Sequence, residues 1–175
     1  MNNKTNKKMI DLIWIVSVIT IIIISAYGTI QTYYYNESNK IIIGEVLVNV
    51  EIPAKNFAKP ITYFNTALVL FTYTSFKKYD NQIRNISHNS LFIIKIILII
   101  IAFNSLYETM YNFFIWNALQ ISEFSELNYN VDMLYIQFPD TKFPWNMVFA
   151  TKFFYGLFIS STYSLFAMHK IENKE

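Results

Sequence analysis

The sequence predicts an all-α membrane protein, a four-transmembrane-helix bundle under a small extracellular cap. Three observations carry that expectation. Of the 175 residues, 54% are hydrophobic and 18% aromatic, and the mean hydropathy is positive at +0.29. Only 15% are charged, against about 25% in an average soluble domain. The apolar residues also gather into four runs separated by polar connections.

A spanning helix needs about 20 mostly apolar residues, because the hydrocarbon core is about 30 Å thick and a helix rises about 1.5 Å per residue. The first run, 9–27, contains the stretch VSVITIIIIS. Its basic leader MNNKTNKK and the small-x-small triplet Ala26-Tyr27-Gly28 also fit a cleaved signal peptide. The apolar run reaches Ile24 unbroken, however, and Tyr33 to Tyr35 follow as an interfacial belt, so a retained span is expected. The second run, 61–76, is the shortest, and Pro60 suits the first position of its helix. The third, 91–116, is long enough to tilt or project beyond the hydrocarbon. The fourth is 147–168. Trp14, Trp116 and Trp145 fall mostly at run ends, where aromatic belts form.

Basic residues orient the spans. Lys4, Lys7, Lys8, Lys77, Lys78, Arg84, Lys170 and Lys174 fall on the side of the two ends and the 77–90 loop. Lys40, Lys55, Lys59 and Lys142 are spread over the longer loops 28–60 and 117–146. Both termini are therefore expected in the cytoplasm of a multi-pass cell-membrane protein, with one domain over 1–175.

The two outer loops are expected to form the cap. Val46, Val48, Val50 and Ile52 alternate with Leu47, Asn49 and Glu51, the pattern of a half-buried strand. A lone strand is unstable in water, so MLYIQF (133–138) is assigned as its partner in a two-stranded sheet, with a strand plus a short helix near ISEFSEL (121–127) as the alternative. Asn36-Glu37-Ser38 is a glycosylation sequon in the outer loop.

The absence of cysteine removes disulfides, thiolate metal sites and thiol catalysis. No phosphate-cradling glycine loop, HExxH or GxSxG occurs, and a net charge of +2 gives no reason to expect nucleic acid. No cofactor is expected. His88 reads as a solvated loop residue. His169 sits where a charge would suit a helix C-terminus.

Ionisable residues inside spans cost roughly 2.5 to 3.5 kcal/mol at a helix centre, so each is a functional candidate. Asp11 and Lys95 lie within about a turn of the cytoplasmic ends, where anchoring at headgroups or a mutual pair accounts for them. Glu108 lies deeper, about 12 Å in from Trp116, and Lys152 about 8 Å in from Met147 on a helix entering from the same side. The matching depths predict a Glu108 to Lys152 ion pair. Asn104, Glu108, Tyr111 and Asn112 fall in one 100° arc of the third helix. On the fourth, Lys152, Gly156, Ser160 and Tyr163 share a stripe, and Gly156, Ser160 and Ser164 make a small-residue ladder for close packing. The two stripes are expected to face each other, with Thr62, Asn65 and Thr72 of the second helix as a third lining.

One carboxylate and one lysine without a second acid, histidine or nucleophile make a poor reaction centre, so enzymatic activity is not expected. The sequence instead favours a non-enzymatic structural or accessory subunit. Its partners would be the lipid bilayer and a membrane protein or a second copy of the chain. The alternative is a small ion or solute transporter using the Glu108/Lys152 cluster.

Overall fold

The computed structural model describes residues 3–34, 44–54, 57–126 and 145–172. All regular structure among them is helical: α1 (Asn3–Tyr34), α2 (Glu45–Asn49), α3 (Pro60–Lys78), α4 (Asp80–Arg84), α5 (His88–Glu126) and α6 (Trp145–Glu172). Local chemistry sets several of these ends. Proline stands in the first turn of α3, where a missing N–H is harmless, and Lys77 and Lys78 occupy its last turn beside the exposed carbonyls. The α5 helix opens on Ser87, whose hydroxyl accepts the Ser90 backbone N–H at 3.3 Å.

By length and composition, α1 over Asn6–Tyr34 and α5 over His88–Ala118 can cross a membrane. Only 6% of each apolar stretch is buried inside the protein, which separates these helices from the core helix of a soluble fold. Ile22, Ile23, Phe92 and Phe103 are 58–70% exposed.

The four long helices form an open row. α1 packs on α3, α3 on α6, and α6 on α5, while α1 and α5 do not touch among the described residues. Residue pairs fix the directions. Trp14 donates its indole N–H to the Ser75 hydroxyl at 2.9 Å, so the start of α1 meets the end of α3. Asn65 meets Lys152 near the starts of α3 and α6, which run parallel, whereas Lys95 meets Glu172, so α5 and α6 are antiparallel. The start of α1, the ends of α3 and α6 and the start of α5 therefore share one end of the row. There Lys78 pairs with Asp11 at 3.2 Å and lies 4.2 Å from the Trp14 ring. Of the two readings of Asp11 and Lys95, the mutual pair does not form, because these residues belong to the two opposite edges of the row.

At the other end α2 lies across α1, α3 and α6. Leu47 and Val48 are buried there with Ile61 and Val148, and Trp116 packs against them. This corrects the expected strand. Adjacent residues Leu47 and Val48 both enter the core, while Val50 and Ile52 are 38% and 37% exposed, so the two-residue alternation does not survive. The segment is a single helical turn followed by extended backbone with one antiparallel bridge, Ile52 to Ala58. Gly44 starts the turn at φ 77, where a side chain would be strained and would run into the Phe149 ring. The assigned partner strand, 133–138, and Asn36 lie outside the described residues. Residues 121–126 continue α5 rather than form a separate helix.

Candidate functional site

The polar residues singled out in the sequence divide between two helix seams. On α6, Lys152, Gly156, Ser160 and Tyr163 turn toward α3 rather than α5. Asn65 of α3 donates its Nδ2–H to the Lys152 backbone carbonyl at 2.8 Å. Its Oδ1 lies against Gly156 so closely that a Cβ there would sit 2.7 Å from Asn65 Cγ. Tyr163 packs on Tyr73 and Phe76 of α3, with ring centroids 5.9 and 6.1 Å apart. Asn65 Oδ1 and Ser160 Oγ are buried without a hydrogen-bond partner. The Ser164 hydroxyl donates to the Ser160 carbonyl at 2.8 Å, so its polarity is absorbed within the helix.

The α5 face toward α6 is built from small residues instead. Ala102, Ser105 and Thr109 recur at helical spacing, Ser105 is 3% exposed, and Thr109 donates its hydroxyl to the Ser105 carbonyl at 2.7 Å. Glu108 sits on the flank of this face. Its carboxylate accepts the Asn112 side-chain N–H at 3.1 Å, and Asn112 also donates to the Glu108 backbone carbonyl at 2.7 Å. Asn104 is exposed, and Tyr111, 50% exposed, stacks on Tyr107. Lys152 and Glu108 form no ion pair within 4.0 Å; the charge that bears on Lys152 is the Lys59 ammonium. Lys59 itself pairs with Glu51 at 3.0 Å. Depth alone matched Glu108 to Lys152, but their helices present them to different neighbours.

The ion pair that does join α5 to α6 is Lys95 with Glu172. Donation from Lys95 is the main cause holding the Glu172 carboxyl below its ordinary value, although the group is solvent-accessible. His88 is the first residue of α5 rather than a loop residue. Its Nδ1 stands 3.7 Å from the same carboxylate, and its side chain is 82% exposed, as expected of a solvated group. The sequence carried a signal for this pair: Lys95 lies one turn inside the start of the third apolar run, and Glu172 lies one turn beyond the end of the fourth.

An apolar cavity of about 680 Å³ opens where α1, α2, α3 and α6 converge. Gly28, Leu47, Ile61, Phe64, Phe149 and Phe153 form its walls. The hydroxyls of Thr29 and Thr32 also line it, but they donate to the Ser25 and Gly28 carbonyls at 2.9 and 2.7 Å. The chamber can accommodate a hydrocarbon or aromatic group, and its lining carries the Ser25, Thr29, Thr32 and Tyr33 hydroxyls without a carboxylate, amine or imidazole. Among the described residues no cluster of three His, Cys, Asp or Glu side chains could hold a metal ion. No protein-family model matches the chain, and no curated protein or solved structure is significantly similar to it.

Proposed function

We propose that the chain is a four-span integral membrane protein with both termini cytoplasmic, acting as a non-enzymatic accessory subunit that docks through the free edge of α5. The observation that carries this reading is Glu108 on that edge. Its described hydrogen bonds come from Asn112 of its own helix alone, and its neighbours on the same helix surface, Asn104, Tyr111 and Ile101, are exposed. A carboxylate at this depth is costly in lipid unless a donor is supplied, and the open row leaves room for a neighbouring helix to supply one. The parallel and antiparallel directions of α1, α3, α5 and α6 suit four alternating crossings. The excess of Lys and Arg at one end supports cytoplasmic placement of that end.

Transport through Glu108 and Lys152 has less support, because the two residues belong to different seams. The test exploits the cysteine-free sequence. Single cysteines at Asn104 and Tyr111, exposed beside Glu108, are cross-linked in native membranes. A product of twice the chain mass identifies a second copy, and a heavier one identifies a different subunit. Monomer alone at both positions refutes the accessory reading. Cysteines at Asn85 and Asn49 should be labelled from opposite sides; labelling from one side refutes the four-span topology.

A further inference from the structure

At the end of the row opposite the apolar cavity, a second chamber of about 380 Å³ lies between α3, α4 and α6. Its volume falls within the roughly 300 to 1,000 Å³ of small-molecule sites. Its lining divides into two zones. Tyr73, Phe76, Tyr163 and Phe166 form an aromatic wall, and Phe166, 64% exposed, continues it onto the outer surface of the row. Lys77, Arg84 and Lys170 supply three cations against the single carboxylate of Asp80.

That carboxylate is already engaged. Asp80 accepts from Arg84 Nε at 3.2 Å, and the pair closes to 3.1 Å at Nη2. A guanidinium has five N–H donors, so this pairing leaves some for a further acceptor. Lys77 and Lys170 are exposed and have no ion-pair partner among the described residues. The Lys77 ammonium lies 5.9 Å from the centre of the Tyr73 ring, within reach of the aromatic wall. The chamber thus has a cationic mouth and an apolar side that opens laterally.

The geometry points to a binding site for the phosphate of an anionic phospholipid headgroup, with Lys77, Lys170 and the spare Arg84 donors at the phosphate and the acyl chain along Phe166. A free phosphate would use the cations but not the wall. A lipid uses both. Basic pockets between helices on the cytoplasmic side are suited to anionic headgroups, because that leaflet is negatively charged. This inference rests on the four-span reading, in which this end of the row meets the cytoplasmic leaflet.

The test is native mass spectrometry of the purified protein titrated with phosphatidylglycerol, with phosphatidylcholine of the same acyl chains, and with inorganic phosphate. The parent should retain phosphatidylglycerol in preference to phosphatidylcholine. Lys77→Gln with Lys170→Gln should weaken that retention about thirtyfold, each lysine near the surface contributing about fivefold. Lys7→Gln with Lys8→Gln removes the same charge from the exposed start of α1 and should change retention less than about threefold. Equal losses in the two double variants, or no loss in the first, would overturn the inference. So would displacement of the lipid by millimolar inorganic phosphate, which would assign the site to free anions. Both lysine pairs are exposed, and far-UV circular dichroism checks that each variant stays folded. Alkaline extraction separates the two levels: a chain released from membranes without detergent refutes the four-span reading. A chain that stays embedded and shows no lysine-dependent selectivity refutes the lipid site alone.

Discussion

Substituting Gly156 by alanine should destabilise the native protein yet stabilise it once Asn65 is removed. A Cβ at position 156 would fall inside the contact shell of the Asn65 amide, whose Nδ2–H is committed to the Lys152 carbonyl at 2.8 Å. The seam can respond in two ways. Parting the helices overpacks the interface, at roughly 1 to 3 kcal/mol. Rotating Asn65 forfeits an interhelical hydrogen bond, about 0.6 and at most about 1.7 kcal/mol within membranes, and leaves a buried amide unsatisfied for about 1 to 3 kcal/mol more. Either route costs about 2 kcal/mol. Against this, alanine is favoured over glycine inside a helix by about 1 kcal/mol. The net change is a loss of about 1 kcal/mol. In an Asn65→Ala background the obstruction is gone and only the helix term remains, so the same substitution should stabilise by up to about 1 kcal/mol. The coupling between the two sites is then about 2 kcal/mol. Unfolding by dodecyl sulfate in mixed micelles, followed by far-UV circular dichroism, measures all four corners of the cycle. A Gly156→Ala effect of the same sign in both backgrounds would show that no close Asn65 contact exists.

The remaining predictions concern the two carboxylates of the α5 and α6 region. Glu108→Gln keeps an acceptor for Asn112 and breaks no ion pair, so unfolding in the same assay should shift by less than about 1 kcal/mol; breaking a buried ion pair costs about 3 to 5 kcal/mol, and a loss of that size would restore the Lys152 pairing. The same substitution should abolish cross-linking from Asn104 if Glu108 faces a partner, and undiminished cross-linking would remove Glu108 from that interface. Glu172 has a pKa lowered chiefly by donation from Lys95, so its contribution to stability is complete above the ordinary glutamate value, about 4.3, and is lost as pH falls through the lower folded value. Thermal melts from pH 7 to pH 3 should lose part of their acid dependence in Glu172→Gln. An unchanged acid limb would show that the carboxyl is not held by Lys95.

The positions of the long helices were legible because apolar run length and end signals are properties of the chain itself. Pro60 marks a start that the structure honours, whereas Ser87, which caps α5, is not among the expected ends, and the third helix begins three residues before the run 91–116. The strand assigned to 46–52 failed for a different reason. Over so few residues, a period of two and a helical turn both place Val46, Val48 and Val50 plausibly, and only the shared core reached by Leu47 and Val48 decides between them. The ion pair failed because sequence fixes depth along a helix but not which neighbour each face meets. Both candidate stripes were real as helical arcs, and the error lay in assuming that consecutive helices turn their polar arcs toward each other.

Buried serines offer a sharper guide to neighbours than charge. Ser17 on α1 is 2% exposed, Ser105 on α5 is 3%, and α6 carries three, Ser160, Ser161 and Ser164, at 5–7%. Edge helices in the row have one seam each, and α6, with neighbours on both sides, has two. The physical reason lies in how a small hydroxyl is accommodated. Ser17, Ser161 and Ser164 each donate to the carbonyl four residues back at 2.8 Å, so no partner group is needed across the interface. What remains is a short side chain that lets two backbones approach closely. Gly156 and Ser160 then mark the α3 side of α6. Ser161 lies 140° around the helix from Gly156 at about 100° per residue, on the arc that also carries Glu172, whose carboxylate meets α5. On α6 the small residues thus fall on two arcs, one for each seam. The buried small residues of α3, Ala67 and Thr74, share one arc although α3 also has two neighbours, so small side chains mark a seam only where both backbones approach through them.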